Sequence, residues 1–273
     1  MQLGRIGIWH SRRRGGPGVV EKVERLGFSA FWLGGSPSVE QARAYVEAGA
    51  TIRVLTGILN VWQHDPADVA REHAKLTADH PGRFVLGIGI GHPEATSDYT
   101  HPLKTMREFF DGLDAAETPV PKDERLVAAL GPKMLDLAAE RSLGTHPYFI
   151  DVQHTRYARE RVGQGVLVAP EVAVVLEDDD ETARKIAREY AASYLRLKNY
   201  TSNLLRFDYT ERDLADGGSD RLIDAVIPHG SPEQVAEAIR AHLEAGADHV
   251  CIQPLGHGDV PAEDWERLAT VLL

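Results

Sequence analysis

Twelve histidines are spread along the 273 residues, and four of them, His10, His64, His92 and His146, fall at or near the ends of short apolar runs. An imidazole both gives and accepts a proton near neutral pH, so each of the four can act as a general acid beside a reacting carbon. A second chemical feature is the stretch HPGRFVLGIGIGHPEA at 80–95, where Gly87, Gly89 and Gly91 alternate before His92 and Pro93. A dinucleotide fingerprint needs G-x-G-x-x-G opening directly into a helix. Here the spacing is G-x-G-x-G, and the HPEATSDYTHP that follows reads as a loop. At the end of a barrel strand the same ladder lets a flat ring approach the backbone, while small residues filling a tight barrel interior explain Gly87 and Gly89 equally well. Gly91 and His92 then fall at the open end. Trp9, Trp62, Tyr99 and Tyr148 near the expected loops suit an apolar pocket for a flat ligand. The histidines have no sequence-close metal partners and no H-E-x-x-H helix, so no metal site is expected.

The elements that must position these groups alternate between short apolar runs and longer stretches of helical period, the pattern of βα units around a parallel sheet. Strands are predicted at 3–9, 29–34, 52–59, 83–89, 125–130, 147–150, 166–176 and 249–255. In PADVAREHAKLTAD, Pro66 starts a helix whose inner stripe is Val69, His73 and Leu76. GPKMLDLAAERSLG turns Met134, Leu135, Ala138 and Ala139 inward, with Gly144 as its stop. SPEQVAEAIRAHLEAGAD is capped by Ser231, started by Pro232 and ended by Gly246, with Val235, Ala238, Ile239 and Leu243 inward. Eight such units without a composition break predict one α/β domain over 1–273, a (β/α)8 TIM barrel. The segment 178–247 between strands seven and eight is about twice the length one helix needs. Its KNYTSNLLRFDYTERDLADGGSD is therefore expected to be an insertion over the open end.

The run HDPADVAREHAKLTADHPGRFVLGIGIGH resembles the bacterial luciferase-like monooxygenase superfamily. The resemblance continues in order through HPLKTMREFFDGLDAA, RLVAALGPKMLDLAAERSLG and VIPHGSPEQVAEAIRAHLEAGADHV, so it covers most of the chain. Within that superfamily the sequence is most similar to actinobacterial oxidoreductases that use the deazaflavin coenzyme F420, and less to those that use FMN. The resemblance implies a barrel of the luciferase-like type with the cofactor across its C-terminal end. It also implies a bulge at the end of strand three, often with a cis peptide that does not precede proline. The matching run is LTGILN, Leu55 to Asn60, which places the bulge at Gly57-Ile58.

The resemblance also carries roles. Ile58 would stand as an apolar wall behind the ring, with Asn60 and the backbone of Gly89, Ile90 and Gly91 along its edge. By helix-dipole logic the helix start at Gly131, Pro132 and Lys133 suits the tail phosphate, since free amides and the dipole favour an anion, although a plain strand-to-helix turn explains it equally well. His92 becomes the first choice for proton transfer and His10, beside Trp9, the second. Lys133, Arg156 and Arg159 are rim residues for the acidic tail that the deazaflavin carries. Sugar-phosphate dehydrogenases of the family place an Asp-His pair after strand two and a Glu after the ladder. This chain has Leu33-Gly34-Gly35-Ser36 and His92 there, which points away from sugar-phosphate oxidation. The expectation is an oxidoreductase passing a hydride between F420 and a small organic substrate. An FMN-dependent monooxygenase using oxygen is the alternative, and a flavin-binding barrel without catalysis the next.

Composition narrows the partners. Thirty Lys plus Arg against forty-one Asp plus Glu give a formal charge of -11, unlike a nucleic-acid binder, which needs a basic surface. Arg12, Arg13 and Arg14 form the one basic run, read as a solvated loop in preference to an anion site. The single cysteine, Cys251, sits in the apolar HVCIQPL, excludes an intrachain disulfide and suits a reducing compartment. No apolar run is long enough to span a bilayer, and the N-terminus lacks the layout of a signal peptide. A cytoplasmic protein is expected, and the resemblance implies a homodimer.

Overall fold

The computed structural model describes residues 3–95, 99–256 and 258–273. Among them are ten strands: β1 (Ile6–Ser11), β2 (Ala30–Gly34), β3 (Arg53–Thr56), β4 (Leu59–Asn60), β5 (Phe84–Gly89), β6 (Arg125–Val127), β7 (Gly144–Thr145), β8 (Leu167–Val168), β9 (Glu171–Val174) and β10 (Val250–Pro254). All pairings between them are parallel, in the order β8-β7-β6-β5-β3-β2-β1-β10-β9, with β4 also on β5. The fold is α/β. Helices cover one face of these strands and other strands' side chains fill the other, which is why AFWLG of β2 and FVLGIG of β5 are buried at every position.

Local chemistry sets the helix starts. Asp65 accepts hydrogen bonds from the amides of Ala67 and Asp68 ahead of the helix Pro66–Asp79, and Ser231 and Gln234 cap each other at Pro232–Glu244. The expected stripe of Val69, His73 and Leu76 is buried. In Pro232–Glu244 the inner face is Val235, Ala236, Ile239 and His242, one step round from the expected Ala238 and Leu243.

Three expected strands take a different form. The third breaks in two: Leu55 faces Val85 and Leu59 faces Ile88, four steps against three, so one extra residue bulges out of the ladder. Gly57 and Ile58 lie in that bulge, joined by a cis peptide bond where the resemblance puts one. The sixth lies at β7, not at 147–150. PYFI is apolar because it packs beneath the helix Asp180–Tyr194, where Phe149 stacks on Tyr194 at 5.0 Å with φ of 54°. Gly144 does not stop the preceding helix, which ends at Arg141. It lies within β7, where a Cβ would come 2.0 Å from the Leu167 carbonyl oxygen. The seventh divides at Ala169-Pro170 into β8 and β9, the two ends of the strand path. Part of the HPEATSDYTHP loop, Thr96 to Asp98, lies outside the described residues.

Between β9 and β10 run the helices Asp180–Tyr194, Lys198–Leu204, Glu211–Leu214, Asp220–Val226 and Pro232–Glu244. Among the described residues no helix is long and apolar enough to cross a membrane.

Candidate active site

A cavity of about 860 Å³ opens at the C-terminal ends of the strands, large enough for a cofactor ring and a small second molecule. Its floor is the bulge. The Gly57 amide donates to Leu33 O at 2.9 Å, and Trp9 Nε1 donates to Gly57 O at 3.2 Å, so the exposed turn is held from both sides. Ile58 lies directly over Gly89, where a Cβ would meet its Cδ1 at 2.7 Å. A side chain at 89 would therefore lift Ile58 from the floor. Gly87, one step below, has the backbone oxygen of Thr56 1.9 Å from where its Cβ would be, and Thr56 Oγ1 bonds both its N–H and its carbonyl. Gly87 is thus a packing glycine, whereas Gly89, Ile90, Gly91 and His92 reach the cavity.

Asn60 also lines the cavity, its Oδ1 accepting from the Trp62 amide at 3.1 Å. Trp62 Nε1 donates to Ile90 O at 2.6 Å. Asn199, from the helix Lys198–Leu204, donates to Gly91 O at 3.1 Å and lies 3.4 Å from His92 Nδ1. That helix is therefore latched to the end of the glycine ladder.

The histidines separate clearly. His92 faces the cavity beside Tyr200, with its pKa lowered by burial and pulled back partly by Glu94. His10 does not reach it. Side chains alternate along β1, so Trp9 and Ser11 point to the cavity and His10 packs edge-on against Trp265, its Nε2 2.6 Å from Arg14 O. His64 is also absent from the wall, where its neighbour Gln63 stands instead. His146, the fourth candidate, also stands on the wall. Its Nδ1 lies 2.8 Å from Ala169 O, an acceptor, which assigns the proton to Nδ1, and its ring stacks on Trp32 at 4.2 Å. Nε2 is then a lone-pair acceptor without a partner, facing Gly57. Burial lowers this imidazole to about 4, so it is neutral at physiological pH.

At the far side Gly131 begins the helix Pro132–Arg141 without a side-chain cap, and Arg206 lies over it, Nη1 3.3 Å from where a Cβ would be. Gly131 and Met134 line the cavity, but Pro132 and Lys133 do not, because the second helical position turns Lys133 to solvent. Arg159 is also away from the rim. It is spent on the carbonyls of Gly163, Val166 and Gly246 and on Asp248. The exposed Arg156 is not on the wall. The cations that do line it are Arg13, Lys198 and Arg206, and no Asp or Glu stands among the described lining residues, in a chain with forty-one of them. Lys198 and Arg206 belong to the segment expected to cover the open end, and Arg13 to the basic run taken as a solvated loop. Their direction was the missing information.

The remaining wall is aromatic and hydroxylated. Tyr148, Tyr194 and Tyr200 line it, and Tyr148 packs 5.7 Å from Trp9. Tyr148 was legible as one aromatic near a loop and Tyr200 as part of the segment expected over the open end, whereas Tyr194 was not.

Residues 14–249 match the family model described as luciferase-like monooxygenase. The 5,10-methylenetetrahydromethanopterin reductase of Archaeoglobus fulgidus is 24% identical over 269 residues, covering 76% of this chain and 78% of that one. Among solved structures, an F420-dependent secondary alcohol dehydrogenase in complex with an F420-acetone adduct matches with a TM-score of 0.76 at 16% identity, over 99% of this chain and 98% of that one. A type II Baeyer-Villiger monooxygenase with FMN, the oxygenating constituent of 3,6-diketocamphane monooxygenase from Pseudomonas putida, gives 0.69 at 18% identity, over 99% and 97%. At those identities the two structures share the fold with this chain.

Proposed function

Because the chain belongs to the luciferase-like monooxygenase family, we propose that it is an oxidoreductase passing a hydride between coenzyme F420 and a small organic substrate in the cavity at the strand ends. The residues fit such a cofactor. The bulge at Gly57-Ile58 and the bare backbone of Gly89 and Gly91 leave room for a flat ring. His146 Nε2 is a buried acceptor without a partner on the same floor. Gly131, with its uncapped helix start beneath Arg206, suits a phosphate.

The observation that carries the choice of F420 is the charge of the lining. Arg13, Lys198 and Arg206 face a space without a described carboxylate, and a deazaflavin tail adds carboxylates to the phosphate that FMN also has. When bound, the deazaflavin supplies the carbon that gives or takes the hydride. Ile58 backs the ring, Asn60 and the ladder hold its edge, Lys198 and Arg206 take the tail, and His92 is placed to move a proton. The shared fold of an F420-dependent secondary alcohol dehydrogenase supports the same reading.

The architecture is read as a closed (β/α)8 barrel, because Ala169 donates to Thr145 O on one side and Pro170 O accepts from Cys251 on the other. Helices from Lys198 to Val226 form its insertion. A cytoplasmic setting and a homodimer belong to the same reading. The dimer would pair through polar helix surface, since Leu205 and Leu273 are the exposed large hydrophobic side chains among the described residues.

A fluorescence titration with F420 and, separately, with FMN tests the assignment, with the mass in solution read on the same sample against the 30.0 kDa chain. Tighter binding of F420 and twice that mass are expected. Preference for FMN moves the chemistry to reduced flavin and oxygen, and binding of neither overturns the reading.

A further inference from the structure

Four oxygen atoms gather on the wall next to Trp9. Tyr148 Oη lies 2.6 Å from Tyr190 Oη, 3.1 Å from Tyr194 Oη and 2.9 Å from Gln253 Oε1, and Tyr190 Oη is 3.2 Å from the same amide oxygen. The three phenols bring three protons to four contacts, and Gln253 Oε1 can only accept. The shortest contact requires a proton between Tyr190 and Tyr148, and whichever of the two accepts it donates its own proton to Gln253. That chain is complete without Tyr194, whose hydroxyl donates to Tyr148 only as a second, longer bond. Tyr194 and Tyr148 line the cavity, while Tyr190 stands behind them. Turning one C–O bond therefore aims the Tyr194 proton at a ligand and leaves Tyr190, Tyr148 and Gln253 bonded as before.

The setting selects the kind of ligand atom. Burial raises all three phenols above their usual range, so they stay neutral donors. Neither a cation nor a described carboxylate takes part in the cluster. Burial also raises the carboxyl nearby, Glu171, above its usual range. An anionic substrate group would be drawn to Arg13 at the rim. A neutral acceptor oxygen is what this wall satisfies. Trp9 links it to the floor, with its ring against Tyr148 and its Nε1 on Gly57 O.

We propose that the Tyr194 hydroxyl, backed by Tyr148, Tyr190 and Gln253, binds and polarises the carbonyl oxygen of the substrate, which makes the substrate class small neutral ketones and enones. This rests on the cofactor reading above, since the carbonyl carbon has to lie against the ring held over Gly57 and Ile58. Tyr194 is then a catalytic residue and Tyr148 and Tyr190 are positioning residues.

The test uses the F420-loaded protein with carbon-13-labelled cyclohexanone as the probe and reads its affinity and its infrared carbonyl stretch. In the wild type the bound carbonyl is expected to shift towards lower frequency than in an apolar solvent. Tyr194→Phe should return it towards the apolar value and weaken the probe roughly tenfold, the loss of one hydrogen bond, with the dissociation constant for F420 unchanged. Tyr190→Phe, which does not touch the cavity, should shift the band by less. An unchanged band and affinity in Tyr194→Phe, or no saturable binding of cyclohexanone to protein that binds F420, overturns the proposal. Failure of the wild type to bind F420 removes the cofactor reading and this inference with it, so the two failures are told apart by the first titration.

Discussion

A Cβ at Gly87 would lie 1.9 Å from the backbone oxygen of Thr56, and neither atom can move without separating β3 from β5. Gly87→Ala should cost about 3 kcal/mol or more of stability, or prevent folding. Gly91, four residues on, has φ of 64° and meets only the side chain of Asn60, 3.0 Å from its Cβ position. Gly91→Ala should cost only about 1–2 kcal/mol through its left-handed backbone, while loosening the grip of the ladder on a bound ring. Urea denaturation of the two variants separates these outcomes, and equal losses would contradict the division. The spacing of the ladder was legible in the sequence. Which glycine packs against a neighbour and which meets a ligand was not, because that depends on the strand beside each one. The same limit applies to the histidines, for sequence places His10 and His92 at strand ends alike and only the pleat of β1 turns His10 outward.

At the level of elements, the helix start at Gly131 lines the cavity, but the cation beside it is not the one its sequence neighbours offer. Lys133 follows Gly131 in sequence and faces solvent, whereas Arg206 comes from the covering segment and lies over the start of the helix. Arg206→Ala should therefore weaken cofactor binding about tenfold, the scale of one charge-assisted hydrogen bond, and Lys133→Ala should leave it nearly unchanged. A fluorescence titration of both variants decides this, and the reverse order would return the site to Lys133. The misplaced sixth strand has a related cause. PYFI is apolar for the helix above it, and an apolar run alone does not say whether a strand or a helix will bury it.

For the whole molecule, interior histidines tie stability to pH. Burial lowers His146, His154, His242 and His249 from 6.5 to about 4. Between those values the unfolded chain binds more protons than the folded one, so stability is fully present above pH 6.5 and is lost as pH falls towards 4. The shift corresponds to an upper bound on the order of 3 kcal/mol per histidine. Glu171, raised by burial, acts in the opposite sense and removes some stability as pH rises above the unfolded value of 4.5. The urea midpoint should therefore fall steeply between pH 6.5 and 5, and a flat profile there would show that these rings are not buried as described. The sequence by itself determined the alternation of strands and helices and the spacing of the glycine ladder, because periodicity, glycine spacing and capping residues act over a few neighbours, and the family resemblance it carries implied the bulge at Gly57-Ile58. Only the tertiary structure decided that Arg13, Lys198 and Arg206 face the cavity without a carboxylate and that three tyrosines and Gln253 meet on one wall. Those contacts join residues as far apart as Tyr148 and Gln253, and their directions are set by the packing of whole elements.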